Sequence, residues 1–305
     1  MVLSIGEILV DIFIDGDNKK AFPGGAPFNV ACNIAHFNNK KVAFYGAVGK
    51  DENGKFLSSY ANDNICHLYI DELQSCHTTE AIVTLKDGER SFRFNRDNGA
   101  DYQLDINRVK SIDLTDVNIV HIGSLMLSFE EGRKFFNEAI SYFRSIKGLK
   151  IFFDVNYRDD IFTSEDEAKN VFLDAIKKVD LIKFTSEELE LLANKKDIKA
   201  SLDALLNKKQ IAVVTLGKDG SVFYSKDKFL KVESIPMKPV DTTGAGDAFY
   251  SYFIYEIDKG LDLGNEKRIK EALYKANIVG GLATQKKGAI GVVPSLEELD
   301  KYLNM

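Results

Sequence analysis

Short apolar stretches recur along the chain at 2–8, 41–48, 119–127, 150–156, 180–185, 211–216 and 221–225. Several are apolar nearly throughout, as expected of strands covered on both faces rather than one. Longer segments between them, such as 130–146 and 165–179, place apolar residues at helical spacing. Strands alternating with helices predict a mainly parallel sheet with helices on both sides, an α/β fold. No repeat, low-complexity tract or Pro/Ser-rich linker divides the chain, so residues 1–305 read as a single domain.

Two stretches break that rhythm. Residues 12–22 contain Asp15-Gly16-Asp17-Asn18, a turn signal, and residues 79–96 read as two strands joined through Asp87-Gly88. In the second, Ala81, Val83 and Leu85 alternate with Ile82, Thr84 and Lys86. Such hairpins do not belong in a doubly wound sheet and predict a small separate β-sheet, a lid spanning about 12–22 and 67–97. The stripe of Ala81, Val83 and Leu85 needs cover, from the body of the protein or from a second subunit.

Composition narrows the functions open to this chain. With 305 residues, 45% of them hydrophobic, it can bury a large core. A formal charge of −6 spread without a basic patch argues against nucleic acid as a partner. No apolar run approaches the ~20 residues of a membrane span, and the first residues lack the pattern of a secretory signal. Cys32, Cys66 and Cys76 form no C-x-x-C pair, which fits a reducing, cytoplasmic setting without a disulfide framework. His36, His67, His77 and His121 show no metal-ligand spacing and read as structural or surface residues.

The densest chemistry lies in Asp241-Thr242-Thr243-Gly244-Ala245-Gly246-Asp247-Ala248-Phe249, which runs into a helical pattern through Ile257. A small-residue turn at a helix N-terminus offers backbone N–H groups and a positive dipole end, a setting suited to phosphate. An acid beside such an anion hole is electrostatically awkward unless it has a task, and accepting a proton from an attacking hydroxyl is one. For an isolated Gly-Ala-Gly-Asp, the plainer reading is a first-turn acid favouring the helix dipole. Upstream, Pro23-Gly24-Gly25-Ala26-Pro27-Phe28-Asn29-Val30-Ala31 reads as a turn with Pro27 in the first turn of a helix reaching Phe37.

Together these strings resemble the signatures of the ribokinase-like, or PfkB, carbohydrate kinases, and most closely those of fructokinases. The resemblance spans essentially the whole chain. It implies a three-layer α/β sandwich with a mainly parallel central sheet and a β-sheet lid, and transfer of the γ-phosphoryl group of Mg·ATP to a sugar hydroxyl. Asp247 matches the family's base, and Gly244, Ala245 and Gly246 match its anion hole. Asp11, Gly24, Gly25 and Asn29 match sugar-binding positions. Arg158, in Asp154-Val155-Asn156-Tyr157-Arg158, and Arg96, at the end of the hairpin, match arginines that hold substrate oxygens.

On the nucleotide side, Thr185-x-x-Glu188 is a capping box in its own right. It also falls on the family's N-x-x-E, whose Glu organises water around Mg²⁺; this chain has Thr185 in place of Asn. Lys183 stands just before it. Thr215, Gly217 and Gly220 match the loop beside the phosphates and ribose, and Asn277 and Gly288 match positions near the adenine. Relatives hold K⁺ by positions matching Asp241 and Thr243, and many fructokinases pair through their lids, so K⁺ and a homodimer are further expectations. The D-x-N-x-R segment is shared with 2-keto-3-deoxygluconate kinases, the nearest enzymatic alternative. A catalytically silent sugar-binding regulator is the non-enzyme alternative. No Walker A or G-x-G-x-x-G string occurs.

Overall fold

Apolar runs that must be covered on both faces become the middle of a sheet, and here they do. The computed structural model describes residues 1–15, 18–39, 41–65, 67–86 and 89–303. In chain order the strands are β1 (Val2–Ile5), β2 (Leu9–Asp15), β3 (Asn18–Gly24), β4 (Val42–Gly49), β5 (His67–Leu73), β6 (Glu80–Lys86) and β7 (Glu89–Asn95). They continue as β8 (Ile119–Ile122), β9 (Lys150–Asp154), β10 (Leu181–Thr185), β11 (Ile211–Thr215), β12 (Ser221–Ser225) and β13 (Lys228–Val232). Nine strands form one sheet in the order β13-β12-β11-β10-β9-β8-β1-β4-β5, parallel from β11 to β5. The pairs β11–β12 and β12–β13 are antiparallel.

Helices cover both faces. On one lie α1 (Ala26–Phe37), α2 (Glu52–Asn64), α8 (Ala245–Asp258), α9 (Glu266–Ala283) and α10 (Leu296–Leu303). The other carries α3 (Ile106–Lys110), α4 (Glu130–Arg144), α5 (Glu165–Ile176), α6 (Ser186–Ala193) and α7 (Ile198–Leu205). Alternation along β9 shows the division: Phe152 belongs to the first core layer, Ile151 and Phe153 to the second. Their burial on opposite faces pins the strand's register.

The expected lid is present, with different limits. Hairpins β2–β3 and β6–β7 are antiparallel and meet in parallel through β2 and β6, giving a separate four-stranded sheet. The lid strands therefore occupy 9–24 and 80–95, not 12–22 and 67–97. Residues 67–73 are β5, the edge of the main sheet, where His67, Asp71 and Glu72 interrupt the apolar pattern. The run 119–127 also divides: β8 ends at Ile122, and Leu125–Ser128 is a 3-10 turn whose Leu125, Met126 and Leu127 are buried. The turn residues Gly16-Asp17 and Asp87-Gly88, Cys66, and the side chain of Leu85 lie outside the described residues.

The apolar stripe on β6 is covered within the chain at Ala81. Ala81 is 2% exposed and packs with Leu9 and Leu125, and Ala81 and Val83 line the cleft beneath the lid. Subunit pairing is thus not needed to cover Ala81. No helix among the described residues is long and apolar enough to cross a membrane.

Candidate active site

Five strands direct their carboxyl ends toward one region, the usual place for ligands in an open α/β sheet. β1 leads into Glu7, β8 into Gly123 and Leu125, β9 into Asn156 and Arg158, and β10 into Glu188, while β11 ends at Thr215. A cleft of ≈ 510 Å³ opens there between the lid and the N-terminus of α8. Asp11, Phe13, Val83 and Phe94 of the lid line one wall, and Gly244, Gly246 and Asp247 line the opposite end.

The turn before α8 is held by its own side chains. Asp241 Oδ1 accepts from Thr243 N at 3.0 Å and from Thr243 Oγ1 at 2.7 Å, while Oδ2 accepts from Gly288 N at 3.1 Å. Gly244 caps the helix at φ 73°, and a Cβ there would lie 2.6 Å from Ala289 Cβ, so both conformation and space demand glycine. Ala245 N donates back to Thr242 O at 3.3 Å. Among the described residues, no acceptor meets the N–H of Gly246 or Asp247. Those two donors face the anion-binding end of the helix dipole.

Asp247 is half-buried and accepts a 2.8 Å hydrogen bond from Asn29 Nδ2. This single contact joins segments 218 residues apart, the glycine turn opening α1 and the turn opening α8. Burial raises the Asp247 carboxyl above its ordinary value, with Asn29, Lys183 and Arg158 opposing. A raised base is a stronger proton acceptor. Asn29 Oδ1 has no partner among the described residues and lines the same cleft.

Asp11 stands on β2 against Gly24, where a Cβ would come within 2.3 Å of Asp11 Oδ2. Gly24 thus leaves room for the carboxylate, and Gly25, at φ 103°, makes the turn into α1. Burial pushes Asp11 up to about 7, with Asp247 adding and Arg158 opposing.

Lys183 occupies the middle of β10, in register with Asp154 on β9. Both are buried, and Lys183 Nζ reaches Asp154 at 3.0 Å. A Cβ on Gly246 would lie 3.3 Å from Nζ, so the ammonium sits against the anion-binding turn. Burial alone would lower the ammonium's pKa, but Asp154, Glu188 and Asp247 outweigh it and hold the lysine charged.

Glu188 forms the expected capping box with Thr185, and its oxygens accept from Thr185 N at 2.7 Å and Tyr157 N at 2.9 Å. One carboxylate oxygen thus braces the loop after β9 and the other the start of α6, and Glu188 also lines the cleft. Among the described residues, no group of three or more His, Cys, Asp or Glu could cage a metal ion.

The remaining residues expected on the nucleotide side do not line the cleft. Gly217 and Gly220, at φ 56° and 97°, shape the turn from β11 to β12 beside Thr215. A Cβ on Gly220 would strike Val232 O at 2.0 Å, and Asn277 Nδ2 donates to that same carbonyl at 3.2 Å. Gly288 joins Asp241 as described above.

Arg96 is not a cleft residue. It is 5% exposed, paired with Asp101 at 2.6 Å, and bonded to Ser128 Oγ and Leu125 O. These bonds turn its guanidinium into the body beside Tyr102 and Phe129, and it does not line the cleft. His121 likewise is structural: buried, it bonds Ser4 Oγ at 2.9 Å, and burial lowers it to about 3. Glu7, Phe13 and Phe94 also line the cleft, although no sequence motif marks them, and so does Asn156 of the D-x-N-x-R segment.

These shifts carry a stability consequence. Burial raises Glu7 to about 8 and Asp11 to about 7, so the folded chain keeps protons that the unfolded chain releases near 4. Stability from these groups is present in acid and lost as pH rises through their folded values. His121, neutral when folded, works in the opposite direction but only up to its ordinary 6.5. We expect the melting temperature of the ligand-free protein to fall between about pH 6.5 and 8, with a smaller fall in Glu7→Gln. A flat or rising melting temperature over that window contradicts the assignment.

An aspartate held at a helix N-terminus, over a cleft lined by acids and covered by a lid, suits phosphoryl transfer to a hydroxyl. The chain matches the pfkB family of carbohydrate kinases over residues 2–296 and belongs to that family. Probable fructokinase-2 of Arabidopsis thaliana is 32% identical over 318 aligned positions, covering 100% of this chain and 96% of that protein. The fructokinase of Xylella fastidiosa with bound ATP superposes with a TM-score of 0.90 at 27% identity, covering 99% of this chain and 98% of that one. A doubly mutated fructokinase of Vibrio cholerae O395, in its fructose-, ADP- and potassium-bound form, gives 0.88 at 32%, covering 99% and 97%. The fold is that of fructokinase structures, and the protein is a phosphotransferase acting on a sugar hydroxyl.

Proposed function

We propose that this protein is a fructokinase, transferring the γ-phosphoryl group of Mg·ATP to the 6-hydroxyl of D-fructose. The observation that carries this reading is the 2.8 Å bond between Asn29 and Asp247, which brings the sugar-side and phosphate-side turns to one point. Asp11, Asn29 and Arg158 hold the sugar, and Asp247 takes the proton from its attacking hydroxyl. The free N–H groups of Gly246 and Asp247 stabilise charge on the transferring phosphoryl group, with Lys183 beside them. Mg²⁺, when bound with the nucleotide, neutralises phosphate charge, and Glu188 orders the water between metal and protein. Thr215, Gly217, Gly220, Asn277 and Gly288 shape the nucleotide's seat. The lid excludes water that would otherwise accept the phosphoryl group.

Related structures with fructose, ADP and potassium, or with ATP, support the choice of ligands. Potassium belongs near Asp241 and Thr243, where it would brace the anion-binding turn against the Gly288 loop. A dimer through the lid would draw on Ile14 and Ile82, half-buried on the face opposite the cleft. The cytoplasm is the compartment that ATP use and the free Cys32 and Cys76 suit.

Charge favours a neutral sugar over a sugar acid. Among the described residues lining the cleft, Asp11, Glu188 and Asp247 face only Arg158 and Lys183, and Lys183 is already paired with Asp154. A substrate carboxylate would meet uncompensated like charge. We expect kcat/KM for fructose to exceed that for 2-keto-3-deoxygluconate by about tenfold or more, the effect of ~1.4 kcal/mol. A ratio favouring the acid would transfer the reading to a keto-sugar-acid kinase.

A further inference from the structure

Glu7 is fully buried just after β1, and neither carboxylate oxygen has a hydrogen-bond partner in another residue among those described. Buried polar groups are nearly always satisfied, so such an exception needs a cause. An internal ion pair is not that cause. The nearby guanidinium of Arg96 donates to Asp101, Ser128 and Leu125 instead.

The cleft supplies the explanation, for Glu7 lines it together with Asp11, Asn29 and Leu125. Glycine leaves room for the side chain: a Cβ on Gly123 would stand 2.7 Å from Glu7 Oε2. We infer that Glu7 is a sugar-binding residue whose carboxyl, in the wall of the cleft beyond the end of β1, pairs with a hydroxyl of the acceptor sugar.

The inference rests on the sugar-kinase reading above and deepens it by adding a specificity contact. Burial raises the Glu7 carboxyl to about 8, with Asp101 and Asp247 adding and its own amide and Arg96 opposing. At neutral pH it is chiefly the uncharged acid, with one O–H to donate and a carbonyl oxygen to accept. A hydroxyl, itself donor and acceptor, matches both. Sites that hydrogen-bond a substrate hydroxyl reject analogues lacking it far more strongly than apolar pockets reject a change of size.

The test compares the parent enzyme, Glu7→Leu and Glu7→Gln on fructose and on its single-deoxy analogues, with KM for ATP and melting temperature measured alongside. Glu7→Leu is expected to raise the fructose KM by about tenfold or more, while KM for ATP moves by less than about twofold. Its melting temperature should hold or rise, since an unpaired buried polar group is removed. Glu7→Gln, which keeps one donor and one acceptor, should recover most of the lost sugar affinity. One deoxy analogue should be poor for the parent yet no poorer than fructose for Glu7→Leu, which identifies the hydroxyl contacted. If the parent uses fructose and every deoxy penalty survives in Glu7→Leu, Glu7 is structural and the inference falls alone. If the parent phosphorylates no neutral sugar, the sugar-kinase reading falls and takes the inference with it.

Discussion

Asp247→Asn should leave a folded protein that still binds fructose and turns over ~10²–10⁴ times more slowly, the usual cost of losing a general base. Asparagine keeps the shape of the side chain, and its oxygen can still accept from Asn29 Nδ2, now 2.8 Å from Asp247 Oδ2. What disappears is the ability to take a proton. The loss should therefore fall on kcat, with the sugar dissociation constant by calorimetry changed little. Stability should not suffer, because burial already raises the Asp247 carboxyl and an amide carries no charge to desolvate. Activity within about twofold of the parent would remove Asp247 from the role of base, since that lies far below the general-base range.

Lys183→Met should damage both stability and turnover, and the two effects can be separated. Asp154 would be left buried without its cation, and breaking a buried pair from one side costs about 3–5 kcal/mol. Burial raises the Asp154 carboxyl, so protonation below neutral pH relieves part of that cost. Destabilisation should accordingly be larger near pH 8 than near pH 6. Turnover should fall ~10²–10³-fold, as expected on removing one preorganised charge beside the phosphoryl group. The double variant Lys183→Met with Asp154→Asn should regain stability, because no unpaired charge remains. It should not regain turnover. Recovery of both would make the ion pair a scaffold and leave the α8 turn to stabilise the phosphoryl group alone.

The sheet was readable where apolar runs are buried on both faces, as in Lys150–Asp154 and Ile211–Thr215. It was hidden where a strand lies at an edge. His67–Leu73 carries polar residues over a half-exposed surface, and Lys228–Val232 has only Leu230 buried, so neither shows a core pattern. Burial without geometry misled at 125–127, where Leu125, Met126 and Leu127 are all inside but follow a 3-10 turn.

The candidate site divides in the same manner. The turns at Gly24–Asn29 and Asp241–Asp247 announce themselves because glycine is demanded by positive φ or close approach, as at Gly25 and Gly244. The direction of Arg96 depends on Asp101, Ser128 and Leu125, partners that no local pattern reveals. Lys183 was placed near the nucleotide, yet its register with Asp154 sets it against Gly246, between the two ends of the site. Glu7 reads as an ordinary acid after a strand, and only its burial without a partner distinguishes it.

The most direct test of the central claim is phosphorus NMR of the purified protein with fructose and Mg·ATP, run in parallel on parent and Asp247→Asn at equal folded concentration. The account predicts a growing fructose 6-phosphate resonance matched one-for-one by ADP in the parent, and almost none over the same time in the variant. ADP accumulating with inorganic phosphate but no sugar phosphate, or equal sugar phosphate from both proteins, would contradict it.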